Sequence, residues 1–188
     1  ISLPSGVSST VDRIVTMDGD LPIAGPGRAI TLTLTDEIDV SRGDVLVSEG
    51  QEPLRAHDVD AMVVWMTDEA MTPGRQYLLQ HANGLSNATV TTIHHRVDIN
   101  TLEQQSADEL VLNDIAWLQV STDRELLFDR YADNRQTGAF ILVDRLTNAT
   151  VGAGMITGAG SSWDRAPEDS LQRQVSMVSA AERAVRFG

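Results

Sequence analysis

The chain has 188 residues and sets 14 basic side chains against 27 acidic ones, a formal net charge of −13 with its four histidines neutral. Every basic residue is an arginine; the missing lysine excludes a P-loop, which needs an ammonium on the β/γ-phosphates, and Schiff-base or lysine-held cofactor chemistry. The missing cysteine excludes disulfides, Cys-ligated zinc, iron–sulfur clusters and thiol nucleophiles, and the acid excess argues against nucleic acid, because phosphate neutralisation drives that affinity.

In chain order the pattern is mostly β. Residues 11–17 are β-branched and apolar, and Asp18-Gly19-Asp20 is a turn signal. Ala24-Gly25-Pro26-Gly27 is a second break. Residues 29–34 alternate, with Ile30, Leu32 and Leu34 on one face and Thr31 and Thr33 on the other, the pattern of a half-buried strand. Ser41-Arg42-Gly43-Asp44 turns into Val45-Leu46-Val47, and the polar, broken Glu49-Gly50-Gln51-Glu52-Pro53 is the best boundary between two units.

The second unit opens with a strand over 59–67. Thr72-Pro73-Gly74 leads tightly into a strand over 76–81, and Asn83-Gly84 turns into a long one over 86–99. There Ile93, Val97 and Ile99 share a face with His95, while Thr92, His94, Arg96 and Asp98 face the other way. Residues 104–109 are polar and hold a turn of helix. Residues 114–122 form a strand, and 140–143 with 150–156 read as a hairpin about Thr147-Asn148-Ala149. Short strands with frequent turns, and no helical crossovers between them, predict antiparallel sandwiches or barrels. The tail differs: Gly158-Ala159-Gly160-Ser161-Ser162 is a linker by composition, and Ser179 with Glu182 is a capping box that predicts a short helix over 179–187, stopped at Gly188.

Each candidate for chemistry has a plainer structural reading. His94 and His95 point to opposite faces, which disfavours a shared metal, and His95 reads as a satisfied core histidine; no metal site follows. Arg42-Gly43-Asp44 is a β-turn. Asn87-Ala88-Thr89 and Asn148-Ala149-Thr150 match the glycosylation pattern but are turn residues on the simplest reading. Gly152-Ala153-Gly154 lacks the third glycine of a dinucleotide fingerprint, since Thr157 stands there, so the glycines mark close backbone approach. Asp36-Glu37-Ile38-Asp39 and Asp18-Gly19-Asp20 lack calcium-loop spacing and read as solvated turns. No nucleophile with a base and an orienter emerges; neither catalytic nor cofactor-binding residues are assigned. An interaction or scaffolding module fits better than a self-contained enzyme. No apolar run nears the roughly 20 residues that span a bilayer, no signal peptide is read, and a chain opening on Ile1 reads as a piece of something longer.

Several segments resemble one family. Leu3-Pro4-Ser5-Gly6 with Ser9, the run from Arg13 to Leu21, and Ala29-Ile30-Thr31-Leu32 continuing into Asp36-Glu37-Ile38-Asp39-Val40-Ser41-Arg42-Gly43-Asp44-Val45-Leu46 resemble the second domain of the large, GTP-binding subunit of bacterial sulfate adenylyltransferase. The sharpest match is Phe128-Asp129-Arg130-Tyr131, Asn134-Arg135, Thr137-Gly138, Phe140-Ile141, Asp144-Arg145 and Thr147-Asn148-Ala149-Thr150-Val151-Gly152-Ala153-Gly154-Met155-Ile156. Parts of it also resemble translation factors such as elongation factor Tu. The family tends to have prolines near Glu125 and at Arg130, which bears on the loop geometry there.

The resemblance covers residues 1–157. It implies two consecutive small antiparallel β-barrels of the elongation factor Tu domain two/three type: 1–50 the C-terminal part of domain two, 51–157 domain three, and 158–188 a linker and short helix. The stretch 178–188 resembles the lead-in to adenylylsulfate kinase domains of fused enzymes. The implied parent is cytoplasmic and makes adenylyl sulfate and pyrophosphate from ATP and sulfate, driven by GTP hydrolysis. GTP, ATP and magnesium then belong to the parent complex, and no cofactor to this segment. The implied partners are the small catalytic subunit, an upstream G domain and a downstream kinase domain, with no nucleic acid and no membrane. The alternative is a translation-factor-like module binding RNA or a protein, which a basic face would favour.

Overall fold

The structure is a computed structural model and describes residues 1–82 and 84–160. These fall into two compact units, Ile1–Gln51 and a second that begins at Glu52. All regular elements among the described residues are strands, and no helix there is long and apolar enough to cross a membrane. The predicted helix over 179–187 and the linker beyond Gly160 lie outside the described residues.

Five short strands make the first unit: β1 (Ser2–Leu3), β2 (Val11–Thr16), β3 (Gly19–Leu21), β4 (Thr31–Leu34) and β5 (Val45–Leu46). β2 is central between β3 and β4, and β1 pairs with β5, all antiparallel. The turn into β5 closes because Asp44 accepts from the Ser41 amide at 2.8 Å while Gly43 takes φ 100°, a conformation that favours glycine. Arg42-Gly43-Asp44 is thus a turn. Among the described residues of this unit, Leu3 is the one large apolar side chain that is buried, while Val7, Val11, Met17 and Ile23 are exposed.

The second unit holds the whole hydrophobic core cluster. Its strands are β6 (Leu54–Trp65), β7 (Gln76–His81), β8 (Gly84–Val97), β9 (Gln104–Gln105), β10 (Ile115–Phe128), β11 (Ala139–Val143) and β12 (Thr150–Ala159). The order β10-β6-β12-β11-β7-β8 closes on itself through β8–β10 pairing, giving a six-stranded antiparallel barrel. β9 takes the side of β8 that β7 has left. Alternation fills the interior: Val59, Ala61, Val63 and Trp65 of β6 meet Ala116, Leu118 and Val120 of β10, with Tyr77, Leu79, Phe140, Leu142 and Ile156 from the other wall. Closure leaves no free sheet edge around the barrel, which removes the template for aggregation that an open edge presents.

Four readings of the sequence change. Residues 104–109 form no helical turn: Gln104 and Gln105 are β9, drawn into the sheet by pairing with Val97 and Arg96. Asn87 is not in a turn but within β8, where its amide donates to Asp123 at 2.6 Å. β12 runs past Ile156 to Ala159, with Gly158 and Ala159 opposite Asp60 and Val59. The alternation predicted along 86–99 is broken twice, because Thr91 and His94 are extra residues relative to β10. Such bulges bend a strand so that it can close.

The glycines of the 152–154 stretch do mark close approach. A Cβ on Gly154 would lie 2.2 Å from Phe140 Cζ, and one on Gly152 would lie 3.3 Å from the Trp65 ring. Gly138 is tighter in kind, because its Cβ would meet backbone: Tyr131 Cα at 2.4 Å and Asn134 O at 2.7 Å. Backbone cannot rotate aside, so Gly138→Ala is expected to cost about 3 kcal/mol in urea unfolding, while Gly158→Ala, which opens onto empty space, should stay within about 0.5 kcal/mol.

Candidate functional site

Antiparallel topology places three connections at one end of the barrel: 66–75 after β6, 98–114 between β8 and β10, and 144–149 between β11 and β12. They are tied to one another. Trp65, the last residue of β6, donates its amide to Asp114 O and accepts from the Asn113 amide, both at 2.9 Å. Its indole Nε1 donates to Glu69 O at 2.7 Å. The Met66 amide donates to Val151 O at 2.8 Å. Met71 and Leu110 exchange both backbone bonds and are 0% exposed, so they roof the core.

An arginine fastens the first connection to the third. Arg75 donates from Nη2 to Asp144 Oδ2 at 2.9 Å and to Glu69 Oε2 at 3.0 Å. Its guanidinium carbon lies 5.6 Å from the Tyr77 ring centroid, and that ring meets Trp65 edge-on at 5.6 Å. Burial raises the Tyr77 phenol, and its hydroxyl is buried without a hydrogen-bond partner among the described residues. The bonds to Glu69 and Asp144 raise the Arg75 guanidinium. Asp144 holds its own turn: Oδ1 accepts from the Leu146 and Thr147 amides at 3.0 and 2.9 Å and from the Thr147 hydroxyl at 3.0 Å. Those amides, first Thr147 and then Leu146, lower its carboxyl to about 2, with the Thr147 hydroxyl and Arg75 adding to the effect. The result is a pre-ordered platform.

The platform is acidic. The three connections bear eight carboxylates, Asp68, Glu69, Asp98, Glu103, Asp108, Glu109, Asp114 and Asp144, against Arg75 and Arg145 and the adjoining Arg96. Arg75 is occupied as described; Arg96 faces Asp114 at 3.5 Å and donates to Gln105 at 2.8 Å.

The histidines do not converge on one site. His57 lies 3.2 Å from Thr122 O, and His81 donates to Thr137 O at 2.6 Å, pinning the connection at the opposite end of the barrel. There the 128–138 string is architectural: Asp129 accepts from Thr137 Oγ1 at 2.7 Å and Asn134 Nδ2 at 3.2 Å. His95 is not a satisfied core histidine. The bulge at His94 brings both rings to Trp117 on the outer wall, at 4.2 Å for His94 and 5.5 Å for His95. His94 meets Asp60 at 3.2 Å, and His95 makes no hydrogen bond among the described residues; burial lowers it, with His94 beside it. Asp20 is forked by Arg13 at 2.7 and 2.9 Å, and Asp36 accepts from Ser9 at 2.8 Å. No group of three or more metal-ligating side chains occurs among the described residues.

A closed six-stranded antiparallel barrel of this topology defines a class. Residues 58–157 match the family described as GTP-eEF1A C-terminal domain-like, and the chain belongs to that family. It is 53% identical to sulfate adenylyltransferase subunit 1 of Aeromonas salmonicida, over 82% of this chain and 33% of that protein. It is 46% identical to the bifunctional enzyme CysN/CysC of Rhodopirellula baltica, over 99% of this chain and 30% of that protein. The chain thus spans about a third of the length of these curated relatives. Its fold matches that of Sup35 complexed with GDP at a TM-score of 0.74 and 17% identity, over 86% of this chain and 40% of that one.

The sequence pointed to Asp144 only within the family string, and to Arg75 not at all, since nothing local says that an arginine after a Pro-Gly turn will reach a residue 69 positions on. The Asp144 carboxyl sits below its unfolded value, so protons favour the unfolded chain. Its contribution is present above about pH 4 and is lost as pH falls toward 2. Asp144→Asn should therefore be less stable than wild type at neutral pH, with the two denaturation midpoints converging as pH approaches 2.

Proposed function

We propose that the chain is a non-catalytic β-barrel segment of a sulfate adenylyltransferase large subunit. Residues 1–50 are the C-terminal part of its second domain, 51–157 its third, and 158–188 lead toward an adenylylsulfate kinase domain. Identity of 53% over 154 residues carries this reading. The scarcity of buried apolar groups in Ile1–Gln51 supports it too, since a partial barrel has faces that other strands of the same domain would cover. The coverage of 99% of this chain by a bifunctional CysN/CysC protein supports the fused parent.

In the parent reaction a sulfate oxygen attacks the α-phosphorus of ATP, an anhydride to sulfate forms and pyrophosphate leaves. GTP hydrolysis drives this unfavourable step. The residues here do not fit a nucleotide–magnesium site: there is no lysine for the phosphates, and no described group of His, Asp and Glu is arranged for a cation. GTP, ATP and magnesium are accordingly assigned to other domains of the parent. The barrel's part is mechanical, a rigid body that transmits the nucleotide state of a G domain to the small catalytic subunit. The acidic platform would repel a phosphate backbone, which counts against the RNA-binding alternative.

The test is a chimera. The matching third of the Aeromonas salmonicida subunit 1 is replaced by this chain and assembled with that enzyme's small subunit. GTP-dependent pyrophosphate release from ATP and sulfate should be retained, and the chain alone should show none. An assembled but inactive chimera, or turnover by the chain alone, would overturn the reading.

A further inference from the structure

Exposed apolar side chains are distributed unevenly over the barrel. Among the described residues from 52 onward, nine large apolar side chains are exposed, and six of them sit in the three connections of the acidic end: Met66, Ile99, Leu102, Val111, Leu112 and Leu146. The other three are scattered: Leu54 and Leu85 near the opposite end and Met155 on the wall. Single exposed apolar residues need no explanation, but a concentration on one surface does.

The backbone ladder puts three of the six, Met66, Leu112 and Leu146, on adjoining loops. Asn113, next to Leu112, bonds Trp65; Met66 follows Trp65 and bonds Val151; and Asp144, bonded to Ala149, begins the turn that Leu146 tips. Leu146 is 90% exposed although its own amide is fixed by Asp144. An apolar side chain at the tip of a turn locked by three bonds to one carboxylate is presented to solvent, with its backbone ordering already done. Binding through such a surface loses little conformational entropy.

We propose that this end of the barrel is the face on which the small catalytic subunit docks, Leu112, Met66 and Leu146 entering apolar sockets set in an arginine- and lysine-rich surface. The proposal rests on the sulfate adenylyltransferase reading above and adds the surface to it. Charge chooses the partner's chemistry. Three of the eight carboxylates, Glu69, Asp114 and Asp144, are matched within the barrel by Arg75 and Arg96. Asp68, Asp98, Glu103, Asp108 and Glu109 have no ion pair among the described residues and lie in the connections that carry Met66 and Leu112. Complementary charge of that kind steers encounter and sets orientation, while the buried apolar anchors hold the complex.

The experiment titrates the full chain with the cognate small subunit by calorimetry, for wild type, Leu112→Arg/Leu146→Arg and Leu85→Arg. All three substituted side chains are exposed, Leu85 at 53% on the far side of the barrel, and circular dichroism confirms that each variant is folded. The double variant should bind at least about tenfold more weakly, with Leu85→Arg within about twofold of wild type, and wild-type affinity should fall as salt is raised. Wild-type binding that survives the double variant, is lost equally in Leu85→Arg, or is indifferent to salt overturns the docking face while leaving the functional reading intact. Absence of wild-type binding likewise overturns the docking face, and the chimera decides the functional reading separately.

Discussion

Everything in the second unit depends on the pairing of β8 with β10. Without it the six strands are an open sheet with a long apolar face and two unsatisfied edges. With it, one set of alternating side chains becomes an interior and the strand connections are sorted to two ends. The cost of closure is local curvature. β8 supplies it with extra residues at Thr91 and His94, and β10 departs from register against β6 between Ser121 and Leu126. The His94–Trp117–His95 stack on the outer wall follows from one of those bulges and has no separate cause in the sequence.

Closure also accounts for the character of the two ends. One is held by neutral and charge-assisted bonds within a single connection, with Asp129, Thr137 and Asn134 at its centre and His81 reaching in from β7. The other is held by bonds between connections, above all Arg75 with Asp144. Long-range bonds of this kind fix several loops as one surface, which is what a docking face needs and a catalytic site would need more stringently.

The strands were largely legible because alternation and turn chemistry are local. Met17-Asp18 ahead of Gly19, the Arg42-Gly43 turn and Thr147-Asn148-Ala149 each close a connection where they stand, and β11 and β12 pair as a hairpin across the last of these. Legibility failed where a partner strand decides. Gln104 and Gln105 are polar and short, and only pairing with β8 makes them a strand. Asn87 carries turn chemistry yet is extended, because the ladder to β7 and a bond to Asp123 outweigh its local preference. Strict alternation puts His95 in the core, and a bulge one residue earlier turns it to the outer wall.

Read alone, the amino-acid sequence carries the β class, the absence of lysine and cysteine chemistry, and, through the string from Phe128 to Ile156, the family. Each is encoded in composition or in neighbours a few positions apart. Tertiary structure alone decided that the barrel closes, that Arg75 meets Asp144, and that eight carboxylates and six exposed apolar side chains share one end. Those facts join residues tens of positions apart, and only the packing of strands around a common core brings such residues within a few ångströms.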